Sequence, residues 1–393
     1  PKPGDDVEVE VADDDDSAGG DSGYEPTEKE LELLHKLTAI VLDGPNVNKG
    51  ALKEFEKKYP WVSCLICACH CLSGFFKTVF KLPSVAIVFK LASDTGNKFR
   101  RCKWLREQMK HHVDNNPDIR AMEQFKTGTS MYIRHVATRF ASKLSVLARA
   151  TQMNPVAKLV MSSPKYAEKY EDEDVANNED SDDEYVAIDR RSKSEVLLDC
   201  KDKFVNCAEA QRLAKMIVKE LSVVVVLMRM CDSDKLCAGK VWIHSHQAHE
   251  SLVKSFGVSI EEYPDLAKIP DLFMKAWDKY HHPILSVAYA LNPEYHRMKP
   301  WLDPTVKKDV DSVFKKQFPD VTSRAKVKAA FTRYCNHEGA FAKLDDEGDK
   351  REVWTDEFMI AVAPWTWWQE VAQAAEPELH TLAWRTLQVG VAS

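Results

Sequence analysis

The stretch TAIVLDGPNVNKGALKEFEKKYPWVSCLICACHCL, Thr38 to Leu72, decides the fold class. Four apolar residues, Ala39 to Leu42, run straight into Asp43, the pattern of a short buried strand. NKGALKEFEKKY then spaces its apolar residues as an amphipathic helix does, and Pro60 stops it. WVSCLICA reads as a second strand, and HCLSGFFKTVFKL as a helix ending before Pro83. Strand, helix, strand, helix predicts an α/β layer. From about Ser84 onward the periodicity turns helical and stays so, which makes the chain predominantly helical overall. The run Val223–Val226 has strand propensity, but its length and flanks place it in a buried helix.

Asp43 admits two readings. A carboxylate at a strand end can hold a hard divalent cation, which wants oxygen ligands. DGPN is equally a turn, where Asp and Gly are favoured.

The net charge of −7 conceals a division. Residues 1–34 hold 13 acids against 2 bases, a net −11, and residues 168–184 hold 10 acids against 1 base, a net −9. The rest of the chain therefore carries +13. A basic body suits a nucleic-acid partner as well as an ordinary solvated surface. Residues 1–26, with DDDDSAGGDSG at their centre, cannot bury enough apolar area to order and read as an acidic disordered segment. Thr27 and Glu30 form a capping box for a short helix, and residues 168–184 read as an acidic loop.

No apolar run reaches the roughly 18 residues that a membrane span needs. The N-terminus is acidic where a signal peptide is basic and then apolar. Beginning at Pro1, the sequence reads as incomplete at its start. Ten cysteines in 393 residues are too sparse for a disulfide scaffold and read as reduced, buried thiols of an intracellular protein.

Several clusters invite chemistry. Cys64, Cys67, Cys69, His70 and Cys71 crowd one short segment, whereas a structural zinc site takes two separated pairs, so packing thiols are the better reading. His246, His249 and Glu250 share a helical face but do not follow the zinc-protease order. NKFRRCKWLREQMKHH, Asn97 to His112, is a basic helix in which Arg100, Arg101 and Arg106 flank Trp104. It suits phosphate contact or a plain amphipathic surface. Trp365, Trp367 and Trp368 form a core corner or a subunit contact, with core the default.

Taken in order, these segments resemble the hAT (hobo/Activator/Tam3) family of DNA transposases. The likeness rests on the strand ending in Asp43 and the Cys-x-x-His pair Cys67 and His70. It continues through Thr138-Arg139-Phe140 with Ser142, Asp232-x-Asp234-Lys235, Leu291-Asn292-Pro293 and the C-terminal tryptophan segment. It spans residues 36 to 393.

The resemblance implies a partial ribonuclease H-like core over 27–150, a large all-α insertion over 151–345 and the start of a dimerisation region over 346–393. It implies DNA cleavage and strand transfer with Mg²⁺ or Mn²⁺, in the nucleus, by a homo-oligomer. Asp43 matches the family's second catalytic carboxylate and metal ligand. Arg139 and Phe140, where the family more often has Trp, match its DNA-end contact. Trp367 and Trp368 fall in the dimerisation region, and Arg100 and Arg101 are further DNA-contact candidates. The partners expected for Asp43, an Asp on an earlier strand and a Glu just beyond Ser393, have no counterpart in the sequence. The expectation is therefore a catalytically incomplete site, or a domesticated protein that binds DNA or dimerises without cutting.

Overall fold

Two short strands form where Thr38–Leu72 predicts them. β1 (Ala39–Leu42) and β2 (Ser63–Ile66) pair in parallel with Leu42 opposite Ile66, and α1 (Asn46–Lys58) crosses between them. The computed structural model describes residues 27–29, 32, 37–44, 46–126, 131–134, 141–170, 193–233, 237–257, 262–345 and 364–392, and these are the only strands among them. Outside the described residues lie the acidic segment 1–26, most of the acidic loop, Glu30, Thr138–Phe140, Asp234, Lys235 and the first part of the 346–393 region. Residues from Thr38 to Ser393 form one compact unit. β1 is half-buried rather than buried, whereas three of the four residues of β2 are buried. Pro60 acts as expected: α1 ends at Lys58, since the residue before a proline is pushed out of the helical region.

The rest is helical. α2 (Ala68–Val79) and α3 (Pro83–Arg101) follow β2 directly. The single basic helix expected over Asn97–His112 is in fact two. α3 ends at Arg101, Cys102 is extended, and α4 (Lys103–Asn115) sets off in a new direction. The physical reason is burial: Phe99 and Leu105 are both fully buried, and one straight helix would turn them roughly 120° apart. The Cys102 thiol, 2.9 Å from the Tyr170 hydroxyl, fixes the break. α5 (Ser142–Met161) and α6 (Ala208–Cys231) come next, and the valine run lies inside α6 as a helix, with Val224 buried and Val226 exposed. α7 (Ala238–Phe256), α8 (Ile269–Tyr280), α9 (Pro283–Ala290), α10 (Pro304–Gln317), α11 (Val321–Asn336), α12 (Pro364–Ala372) and α13 (Pro377–Leu387) follow, with shorter helical segments between the numbered helices. Among the described residues no single helix is long and apolar enough to cross a membrane.

α9 lies at the centre of this helical body. Every residue from Ile284 to Ala290 is buried, the mark of a helix packed on all sides, and α7, α10 and α13 surround it. Gly239 on α7 permits the closest approach. A β-carbon there would stand 3.1 Å from the Ala288 carbonyl and 3.0 Å from the Asn292 amide. Beyond α9, the Leu291 carbonyl accepts a 2.7 Å hydrogen bond from the Trp368 indole, and Asn292 caps the following turn through Glu294 N–H. Leu291-Asn292-Pro293 is thus a buried helix stop.

Polar side chains tie the β-α-β unit to this body. Glu56 on α1 accepts hydrogen bonds from Lys316 on α10 and from His282. Gln317 donates to the Trp61 carbonyl at 3.0 Å. Beside them, Ser286 donates to Asp309 at 2.5 Å, and His281 Nε2 stands 3.2 Å from the same carboxylate. This is no nucleophilic triad. The serine proton points at the carboxylate, and one imidazole nitrogen faces both partners. The C-terminal tail closes two helix starts: Val391 C=O accepts from Ala68 N–H at 2.9 Å and Val389 C=O from Ala238 N–H at 3.3 Å.

Two outcomes follow. Trp368→Phe leaves the buried Leu291 carbonyl without its donor and should cost about 1–3 kcal/mol in urea unfolding, and an unchanged midpoint would contradict the packing. The His282 and Lys316 hydrogen bonds outweigh burial and hold the Glu56 carboxyl down to about 2. Its contribution to stability is therefore full above its ordinary value of 4.5 and is lost as pH falls toward 2. Unfolding free energies of the wild type and Glu56→Gln should converge over that window and stay apart at neutral pH.

Candidate functional site

Parallel pairing places the two strand exits side by side. Asp43 follows β1 and Cys67 follows β2, and Cys67 N–H donates to the Leu42 carbonyl at 2.8 Å, extending the ladder by one residue. α2 begins immediately afterwards, and its first turn lifts His70 over the strand edge. His70 Nδ1 lies 3.7 Å from Asp43 Oδ1, with both side chains about half exposed. The Asn48 amide donates to the Asp43 carbonyl at 3.1 Å and closes the turn behind the carboxylate. Gly44 fits beside this pair, where a β-carbon would touch Ile66 and His70 at 3.5 and 3.7 Å.

The site is therefore a carboxylate and an imidazole at the C-terminal edge of a parallel pair. It can exchange a proton, bind a cation weakly or orient a bound group. Two Mg²⁺ or Mn²⁺ ions need several oxygen ligands. Among the described residues no three His, Cys, Asp or Glu side chains converge to hold a metal. One carboxylate beside an imidazole does not fit a two-metal centre.

The other sequence candidates divide clearly. Cys67 is buried while His70 is half exposed, so the Cys-x-x-His pair does not act as one ligand set. Cys64, Cys69 and Cys71 are buried as well, and the Cys69 thiol donates to the Met228 carbonyl at 3.5 Å. Burial pushes the Cys64 and Cys71 thiols up to about 11, so they stay protonated packing groups at neutral pH.

His246 stacks flat on Trp242, with ring centroids 3.7 Å apart, while its Nδ1 meets the Trp242 carbonyl. His249 faces Phe273, and Glu250 points to solvent. Trp367 and Trp368 are buried in the chain's own core against Tyr334 and Phe341. Arg100 and Arg101 end α3, far along the chain from Asp43. Arg139 and Phe140 lie outside the described residues.

Sequence reasoning named Asp43 and His70 separately and missed their pairing. The signal was available: two strands joined by one helix must be parallel, and their ends then meet. Compared with known proteins, the chain matches no protein-family model and no curated protein.

An exposed ion pair contributes only about 0–1 kcal/mol. Asp43→Asn and His70→Gln should therefore leave the thermal midpoint almost unchanged. A large loss in either variant would make the pair a structural element rather than a site.

Proposed function

We propose that this chain is a hAT transposase-derived protein that binds DNA in the nucleus, with a ribonuclease H-like ancestry in its β-α-β unit. The observation that carries the reading is the meeting of Asp43 and His70 at 3.7 Å. The two residues belong to separate motifs of the resemblance, and parallel pairing of β1 with β2 brings them to one edge. The net +13 outside the two acidic segments supplies the electrostatics for a polyanion. Homo-oligomerisation enters the proposal from the resemblance.

The ligand set favours binding over cutting. In-line displacement at a phosphodiester uses two metal ions held by several carboxylates, and the described residues offer Asp43 with His70. The reading is therefore a DNA-binding protein that retains part of a cleavage site.

The test is a labelled duplex incubated with the full chain and Mn²⁺, scored for both binding and nicking. Salt-sensitive binding without nicking is expected, with Asp43→Ala unchanged in both. Nicking abolished by Asp43→Ala would establish an active nuclease, and absence of binding even at low salt would end the DNA reading.

A further inference from the structure

We propose that α1 and α10 together present a basic face that holds the DNA backbone, through Lys49, Lys53 and Lys57 on α1 and Lys315 on α10. The inference rests on the DNA-binding reading and gives it a place in the fold.

Helical period and cross-chain hydrogen bonds build the face. Lys49, Lys53 and Lys57 recur every four residues, so they form one stripe along α1, and all three are exposed. Leu52 and Tyr59 are buried and fix which side of this segment meets the body. Glu56 lies two turns after Lys49 and so shares its flank of the helix. Glu56 is also the residue that accepts hydrogen bonds from Lys316 on α10 and from His282. Gln317 donates to the Trp61 carbonyl just beyond α1. These bonds set the end of α10 against the Glu56 flank of α1. Lys315, the residue before Lys316, is exposed there. The two helices therefore meet at a seam with lysines on both sides. At the other end of the stripe, Lys49 follows Asn48, whose amide closes the Asp43 turn. The stripe thus runs from the Asp43–His70 edge to the seam.

The fold consumes the acids of these helices and leaves the lysines. α1 and α10 hold eight lysines and four acids between them. Glu56 is bonded at the seam, Asp309 is buried against Ser286 and His281, and Asp311 stands 2.6 Å from Lys328 on α11. Only Glu54 faces solvent, 3.8 Å from Lys57. Lys49, Lys53 and Lys315 have no carboxylate partner among the described residues. A row of ammonium groups one turn apart fits a ligand of repeated negative charge. Lysine meets phosphate as a point charge, and phosphate contacts carry no sequence information, so this face holds backbone rather than reading bases.

The test measures binding of a labelled duplex to the full chain across a salt series, with Lys53→Gln, Lys315→Gln, the charge-preserving Lys53→Arg and, as control, Lys215→Gln on the exposed side of α6. The substituted side chains are exposed, so folding stays intact, which melting curves verify. Lys53→Gln and Lys315→Gln should each weaken binding by about tenfold near 0.1 M salt and lower the log–log salt slope by roughly 1. Lys53→Arg and the control should behave as the wild type. Wild-type binding and slope in both Gln variants would overturn this face and leave the DNA reading standing. An equal loss in Lys215→Gln would overturn it too, because attraction would then be spread over the whole surface. Failure of the wild type to bind duplex would overturn both readings. Poly-glutamate binding more tightly than duplex at equal charge would overturn the choice of DNA as the partner.

Discussion

The indole N–H of Trp368 closes the carbonyl of Leu291 at 2.7 Å, at the end of a helix that meets water on no side. A helix leaves its last carbonyls without intrahelical partners. At the surface water satisfies them, but α9 is buried from Ile284 to Ala290, so the protein must do so. Trp368, Asn292 and the close approach at Gly239 are the parts of that solution. α7, α10 and α13 take their positions around it. The C-terminal tail continues from α13 to close the starts of α7 and α2, which brings the last residues of the chain beside the strand edge.

That arrangement connects the helical body to the candidate site. His282 opens α9, and its ring meets Glu56 on the helix that joins the two strands. The half-buried His281 with the buried Asp309 and Ser286 lies next to it. The β-α-β unit is held against the body by charge-assisted hydrogen bonds as well as by apolar packing. Asp43 and His70 meet at its exposed edge. Rigid strands behind and half-exposed side chains in front are what a site needs.

Much of this was legible in the sequence. Both strands, the helix between them, the stop at Pro60 and the helical valine run follow from local period and from proline chemistry. The buried thiols of Cys64 to Cys71 were legible because they alternate with apolar residues in one segment. The break at Cys102 was not, because it arises from the need to bury Phe99 and Leu105 together, and that need comes from helices elsewhere in the chain. The hAT resemblance rests on motif order, which local period and burial do not test.

The central claim is that this mostly helical chain, acidic overall but with a net +13 outside its two acidic segments, is a DNA-binding protein. Titration of a labelled duplex with the full chain across a salt series tests it directly. Binding that weakens steeply as salt rises is the predicted result. No binding even at low salt would contradict it.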